Sequence, residues 1–217
     1  METVLILDFG AQYSQLIARR VREQNVYCEV KPCSISPDEI RELAPIGIIL
    51  SGGPQSVYES VSLHVDPALF SLGIPVLGIC YGCQLMAYSL GGTVAAATEA
   101  TAREYGKTLT EFDTESAIFH GLPASSVTWM SHGDYISQVP DGFTVTAKTA
   151  VCPTAAMACP EKKLYGVQFH PEVQHTVQGS EILRRFLYSV CGASGDWTMA
   201  DYRQTAIRAI REKVGSG

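Results

Sequence analysis

Cys80 stands between Gly78 and Gly82 in PVLGICYGCQL, after a short apolar run and ahead of a segment with helical character. A strand, then G-x-C-x-G, then a helix is the thiol form of a nucleophile elbow. The two glycines permit a sharp turn and keep neighbouring side chains away from the sulfur. The helix start adds backbone N–H groups and a positive dipole end, both of which favour a thiolate and a developing oxyanion. Other readings fit the same stretch. Cys80 and Cys83 form a CxxC at a helix start, the usual setting of a thioredoxin-like redox pair, and a buried structural cysteine would also satisfy the pattern. No second CxxC accompanies them, so a structural zinc there is disfavoured and no metal site is expected.

A second constellation lies far downstream in LYGVQFHPE, where His170 and Glu172 are two residues apart around Pro171. In an extended segment this spacing sends both side chains to one side. Glu172 can then orient and charge-stabilise His170 while His170 serves a nucleophile brought in by folding. Each alone is an ordinary residue, a structural histidine and a solvated carboxylate. With the elbow, the order Cys, His, Glu makes a complete triad. The third piece is LSGGPQSVYES, whose Gly52 and Gly53 let the backbone approach a ligand closely. It lacks the spacing and lysine of a phosphate loop. It suits an oxyanion loop, with one N–H from Gly53 and another from Tyr81; a plain tight turn is the alternative.

These residues need a scaffold that brings distant segments together, and the order of elements supplies one. TVLILDF is a continuous apolar run, the mark of a strand covered on both faces. QYSQLIARRVREQN follows with Tyr13, Leu16, Ile17 and Val21 at helical spacing, and VYCEVKP is the next strand. SPDEIREL opens a helix with Ser36 as N-cap, Pro37 at the first position and Glu39 closing a capping box. IGIIL, the short helix PALFSL, IPVLGI and the helix CQLMAYSLGG complete an alternation that predicts a doubly wound, mostly parallel α/β sheet. GKTLTEF, SSVTWMS, GFTVTAKT, AAMACP and KLYGVQF are short strands separated by turns, which predicts an antiparallel extension, and SEILRRFLYSVC is a further helix. Residues 1–192 are therefore read as one domain. Beyond them GASGDW has linker character, and residues 198–217 form an amphipathic helix with Ile207, Ile210 and Val214 as its apolar stripe.

Composition narrows the class. Hydrophobic residues make up 46% and charged residues 18%, proportions of a packed globular chain. Sixteen Lys+Arg against twenty-two Asp+Glu give a net charge of −6, which argues against nucleic acid as a partner. No apolar run approaches the roughly 18 residues of a membrane helix, and the first residues lack the basic start of a signal peptide. Seven scattered cysteines imply no disulfide framework. A cytoplasmic protein without membrane attachment is expected.

Taken together, SGGP, GICYGCQ, SHGD and FHPE, in that order and spacing, resemble the class I (triad) glutamine amidotransferase domains, which have a flavodoxin-like fold. More narrowly, ILDFGAQYSQLIARRVRE, LSGGPQSVYE, WMSHGD and CGASGDWTM are similar to the amidotransferase domains of GMP synthases, over roughly residues 3–200. The resemblance implies Cys80 as nucleophile, His170 as acid/base, Glu172 as its orienting partner, and Gly53 and Tyr81 as oxyanion donors. It implies L-glutamine as substrate, held by Gln55, Gln84, Ser131, Gly133 and Asp134, with His132 outside the triad. It implies no cofactor in this chain. ATP and Mg would belong to an ATP-pyrophosphatase partner domain that adenylates XMP, with residues 193–217 as the connector towards it. Position 83 is more often Met or His in the family. On the helix, Cys83 lies about 300° around from Cys80, which makes it a bystander able to confer oxidation sensitivity. Amidotransferases serving anthranilate, carbamoyl phosphate or CTP synthesis, a γ-glutamyl hydrolase, and a non-catalytic redox or binding module of the same fold are the competing readings.

Overall fold

The computed structural model describes residues 2–97 and 103–215. In chain order the first half gives β1 (Thr3–Asp8), α1 (Ser14–Glu23), β2 (Tyr27–Pro32), α2 (Pro37–Leu43), β3 (Gly47–Leu50), β4 (Val76–Ile79) and α3 (Tyr81–Ser89). PALFS forms a short 3-10 turn before β4 rather than an α-helix, with the Asp66 side chain accepting from the Ala68 N–H. The predicted capping box at α2 is present: Ser36 accepts from the Glu39 N–H, and the Glu39 carboxylate accepts from the Ser36 N–H.

The second half contains β5 (Thr93–Ala96), β6 (Glu104–Phe112), β7 (Ser125–His132), β8 (Asp134–Gln138), β9 (Thr144–Lys148), β10 (Ala156–Cys159) and β11 (Leu164–Val167). α4 (Gly179–Arg185) runs into a π-helical turn at Phe186–Val190, and α5 (Met199–Val214) closes the chain. Nine strands form one sheet in the order β2-β1-β3-β4-β11-β10-β9-β6-β7. The part from β2 to β11 is parallel and the remainder antiparallel, the doubly wound sheet with antiparallel extension that the element order predicts.

Alternation along β1 shows why both faces are covered. Val4 and Ile6 enter a core with Ile17 and Val21 of α1 and Ile182 and Leu183 of α4. Leu5 and Leu7 enter the opposite core with Ile40 of α2 and Leu85 and Met86 of α3. A strand whose successive side chains meet helices on opposite faces must be apolar throughout, and β3, β4 and β11 are buried at every position.

The β5–β8 pair forms a separate two-stranded sheet absent from the sequence reading. Its strands are short and of mixed polarity, with no apolar alternation to reveal them. Of α5, Ile207, Ile210 and Val214 are all exposed, so the predicted stripe is not buried on this domain. What anchors this end is an aromatic cluster in which Tyr202 stacks on Tyr27 beside Trp197. No helix among the described residues is long and apolar enough to cross a membrane.

Candidate active site

The sheet order decides what meets Cys80. β4 and β11 are adjacent parallel strands in register, Ile79 opposite Val167, so both chains leave the sheet at the same edge. Cys80 follows β4 directly, and its N–H donates to Val167 O at 2.8 Å. It adopts φ +52° and ψ −107°, a backbone conformation that a side-chain-bearing residue keeps only when its surroundings enforce it. The enforcement comes from close packing at the glycines. A Cβ on Gly78 would lie 2.6 Å from Gly82 C, and one on Gly82 would lie 2.5 Å from Leu50 O. The elbow therefore admits no side chain at either position.

The N–H groups at the head of α3 are divided. Gly82 N–H donates to Ser51 O, while those of Cys83 and Gln84 donate to Cys80 O. None of these bonds uses the Tyr81 N–H. Across from it, the Gly52–Gly53 turn rests on Ser51, fully buried, whose hydroxyl accepts from Phe9 N–H and donates to Gly52 O. A Cβ on Gly53 would stand 3.1 Å from Tyr81 Cγ, so the two proposed donors come from segments in contact.

His170 and Glu172 lie beyond the end of β11, His170 in an irregular stretch and Glu172 in the turn that follows, rather than on the extended strand that the sequence predicts. The strand stops because its neighbours diverge: Gln168 N–H donates to Ala155 O, whereas His170 N–H donates to Trp129 O. The pairing nevertheless forms, with His170 Nδ1 2.8 Å from Glu172 Oε1. Thr176 Oγ1 donates to His170 O, Arg20 Nε donates to Glu172 O at 2.8 Å, and the Tyr13 ring meets the imidazole edge-on. Burial by itself favours the neutral imidazole. Hydrogen bonding and charge from Cys80 and then Glu172 outweigh it and push the His170 pKa up to about 10.

Two hollows meet at the sulfur. The larger, about 390 Å³, is lined by Gly53, Gln55, Cys80, Tyr81, Gln84, Ser131, Gly133 and Asp134. Its neighbour, about 310 Å³, is lined by Cys80, His170, Gly53, Ser131, Tyr13 and the turn after β1. Glu172 lies in neither and is 1% exposed behind His170. The sulfur thus has an approach from one side and a histidine on the other, the arrangement that nucleophilic attack followed by proton delivery requires. The lining of the larger hollow is polar: Tyr58 donates to Asp134 Oδ1, and Leu63 N–H donates to Gln55 Oε1. Gln84 commits its amide nitrogen to Asp134 O and Gln168 Oε1.

With that geometry in place, the glutamine amidotransferase class-I family profile matches residues 5–190. The chain belongs to the class I glutamine amidotransferases. It is 54% identical over its whole length to a glutamine-hydrolyzing GMP synthase of Clostridium botulinum, covering 42% of that protein. It is 56% identical over 99% of its length to the corresponding enzyme of Acetivibrio thermocellus, covering 41%. The chain thus spans less than half the length of these curated relatives. Among solved structures, a Thermoplasma acidophilum protein assigned as part of a GMP synthase matches at 30% identity and a TM-score of 0.76, covering 95% of this chain and 98% of that one. A glutamine amidotransferase from Thermotoga maritima at 20% identity and a TM-score of 0.68 shares the fold, covering 88% of this chain and 99% of that one.

Several residues around the amidotransferase site escaped the sequence reading. Gln168 Nε2 lies 3.7 Å from Cys80 Sγ, on which the carbonyl of Ser131, a residue the sequence did single out, also closes at 3.8 Å. Gln168, Thr176, Arg20 and Ser51 act through polar contacts between segments far apart in sequence, for which no local pattern exists. His132 is buried in the wall of the larger hollow, with Nδ1 2.9 Å from Asp134 O and no bond to Glu172. Cys83 lines neither hollow. Its sulfur packs where a Cβ on Gly166 would fall, at 2.5 Å, and burial raises its pKa well above the usual thiol range. A thiol held protonated there is a poor partner for exchange with Cys80, against the expectation of oxidation sensitivity.

Proposed function

We propose that this chain is the glutaminase half of a GMP synthase, hydrolysing L-glutamine through a cysteinyl thioester and passing ammonia to adenylated XMP on a partner domain. The observation that carries the reading is the meeting of Cys80, on its strained elbow, with the His170–Glu172 pair at the ends of two adjacent parallel strands.

The larger hollow takes the glutamine. Ser131, Gly133, Asp134, Gln55 and Gln84 hold its α-amino and carboxylate end, and the side-chain amide reaches Cys80. The sulfur attacks the amide carbonyl, and the oxyanion is received by the Gly53 and Tyr81 N–H groups. A single such donor is worth about 10²–10³ in rate, so the Gly52–Gly53 turn matters as much as the triad. His170, kept cationic by its partners, protonates the departing nitrogen, because a carboxamide expels ammonia and not amide anion. The glutamyl thioester remains. Water, deprotonated by the now neutral His170, attacks it, and collapse releases glutamate and restores the thiolate–imidazolium pair. Glu172 orients the ring and balances its charge throughout.

Ammonia freed into water would become ammonium and be lost as a nucleophile. A partner is therefore part of the reading: an ATP-pyrophosphatase domain that binds ATP and Mg and receives ammonia in the cytoplasm, joined through residues 193–217. No residue of this chain is assigned to ATP or Mg. The relatives' greater length supports a second functional part.

An electrophilic glutamine analogue tests the site. A single adduct on Cys80, prevented by excess glutamine, is the expected result, with slow glutamate release that rises when the synthetase portion is added with XMP and ATP. Labelling at Cys83, or at neither cysteine with the synthetase portion present, overturns the assignment. Stimulation by a synthase acting on a substrate other than XMP would redirect it to another amidotransferase.

A further inference from the structure

At the wall of the larger hollow, which His132 itself helps to line, Glu104 on β6 and His132 on β7 face each other as cross-strand partners. Cys152, in the short connection between β9 and β10, completes a cluster whose ligand atoms all lie within 4.8 Å of one another. All three residues are buried, at 6%, 3% and 0% exposure. Two of the inward-facing atoms, Glu104 Oε2 and His132 Nε2, have no hydrogen-bond partner among the described residues and lie 3.5 Å apart, an ion pair only when the imidazole is protonated. Buried polar atoms are ordinarily paired, and a cation held between these two would satisfy both at once.

The outer bonds fit a metal ligand set. His132 Nδ1 is bound at 2.9 Å to Asp134 O, a carbonyl that can only accept, so Nδ1 carries a proton and Nε2 is the ring atom turned to the cluster. The Thr149 hydroxyl donates to Glu104 Oε1 at 2.7 Å and accepts from Cys152 N–H at 2.9 Å. It thereby fixes two of the three ligands. Oxygen and nitrogen ligands, each about 2.0–2.1 Å from a tetrahedral zinc, lie about 3.3 Å apart, close to the separation seen. Thiolate, imidazole and carboxylate together suit a borderline-soft divalent ion. A thiolate and a carboxylate also cancel its two charges, which is what burial demands.

We propose that Glu104, His132 and Cys152 form a binding site for Zn²⁺, with water in the fourth position. Binding transfers the Cys152 thiol proton to solvent as the metal–sulfur bond forms. Val151 and Pro153 on either side of Cys152 are exposed, so the ion enters from the β9–β10 connection. Once bound, it ties β6, β7 and that connection together directly behind Ser131, Gly133 and Asp134. The site adjoins the glutamine hollow: His132 lines that hollow and shares the Asp134 carbonyl with Gln84.

Cobalt(II) titration of the reduced full chain tests this without an activity assay. The expected result is one equivalent bound, with a thiolate-to-cobalt charge-transfer band and the strong visible bands of a four-coordinate ion, both erased by Zn²⁺. The band persists in Cys80→Ala and Cys83→Ala and is lost in Cys152→Ser. Glu104→Gln, nearly isosteric, weakens binding by at least about tenfold. In the unsubstituted chain Zn²⁺ raises the melting temperature, and in Glu104→Gln it does so less, a readout that does not require the cysteine variant to fold. Absence of stoichiometric cobalt binding, a band that survives Cys152→Ser, or a band lost with Cys80→Ala overturns the proposal.

Discussion

At the scale of single residues, the behaviour of the site turns on the charge state of His170. Its ring is buried, which taken alone would make it neutral, yet its contacts with Cys80 and Glu172 reverse that preference. The consequence for stability has a definite sign. The pKa rises from 6.5 in the unfolded chain to about 10 in the fold, so His170 contributes its full stabilisation below pH 6.5 and loses it as pH climbs through about 10. Melting temperatures across that range should therefore fall more steeply in the unsubstituted protein than in Glu172→Gln, which removes one of the two partners. Parallel curves would show that the pair does not hold the proton. The same variant places an amide N–H against Nδ1 and disfavours the tautomer that the reaction needs, so kcat for glutamate release should drop at least about 100-fold. An unchanged kcat would remove Glu172 from the mechanism.

At the scale of elements, the elbow depends on how closely α3 lies on β3, β4 and β11. Tyr81 through Ala87 are all buried, so this helix meets protein on every side and its position leaves no slack. Cys83 belongs to that fit: its sulfur occupies the space above Gly166 that a Cβ would claim. Gly166→Ala should cost about 1–3 kcal/mol in urea unfolding through overpacking alone. Adding Cys83→Ala opens the space, so the double variant should recover about 1 kcal/mol or more relative to the sum of the single changes. Strict additivity would mean that the strand yields instead of the sulfur. Arg20 carries the positioning logic further, since α1 reaches across to hold the Glu172 carbonyl, linking the first helix to the last member of the proposed triad.

At the scale of the whole molecule, the chain is an amidotransferase with one end only lightly attached. α5 presents Ile207, Ile210 and Val214 to solvent at 43%, 61% and 73% exposure and is held through the Tyr27, Trp197 and Tyr202 rings. Apolar side chains left in water contribute little to this domain's own stability. Removing residues 199–217 should therefore move the melting temperature by no more than about 4 °C, corresponding to a change below about 1 kcal/mol. Under the proposed function it should also reduce the acceleration of glutamate release by a synthetase portion supplied separately. A large loss of stability would assign α5 to the core of this domain, and undiminished acceleration would remove it from the connection.

The buried strands, the capping box at Ser36 and Glu39, and the alternation that fixes a doubly wound sheet were all legible along the chain, because each is written in local periodicity or in residues three apart. The elbow at Cys80 was legible for the same reason: two glycines and a cysteine on a strand-to-helix turn form a local pattern. The pairing of β11 with β4 was not, and it alone brings His170 to the sulfur across ninety residues of sequence. The end of β11 before His170, the β5–β8 sheet, the bond from Arg20 to Glu172 and the meeting of Glu104, His132 and Cys152 likewise exist only in three dimensions. Their energetics depend on burial and on partners that sequence neighbours do not supply. Residue types along the chain determined which chemistry was possible; the order of strands in the sheet decided which of those residues meet.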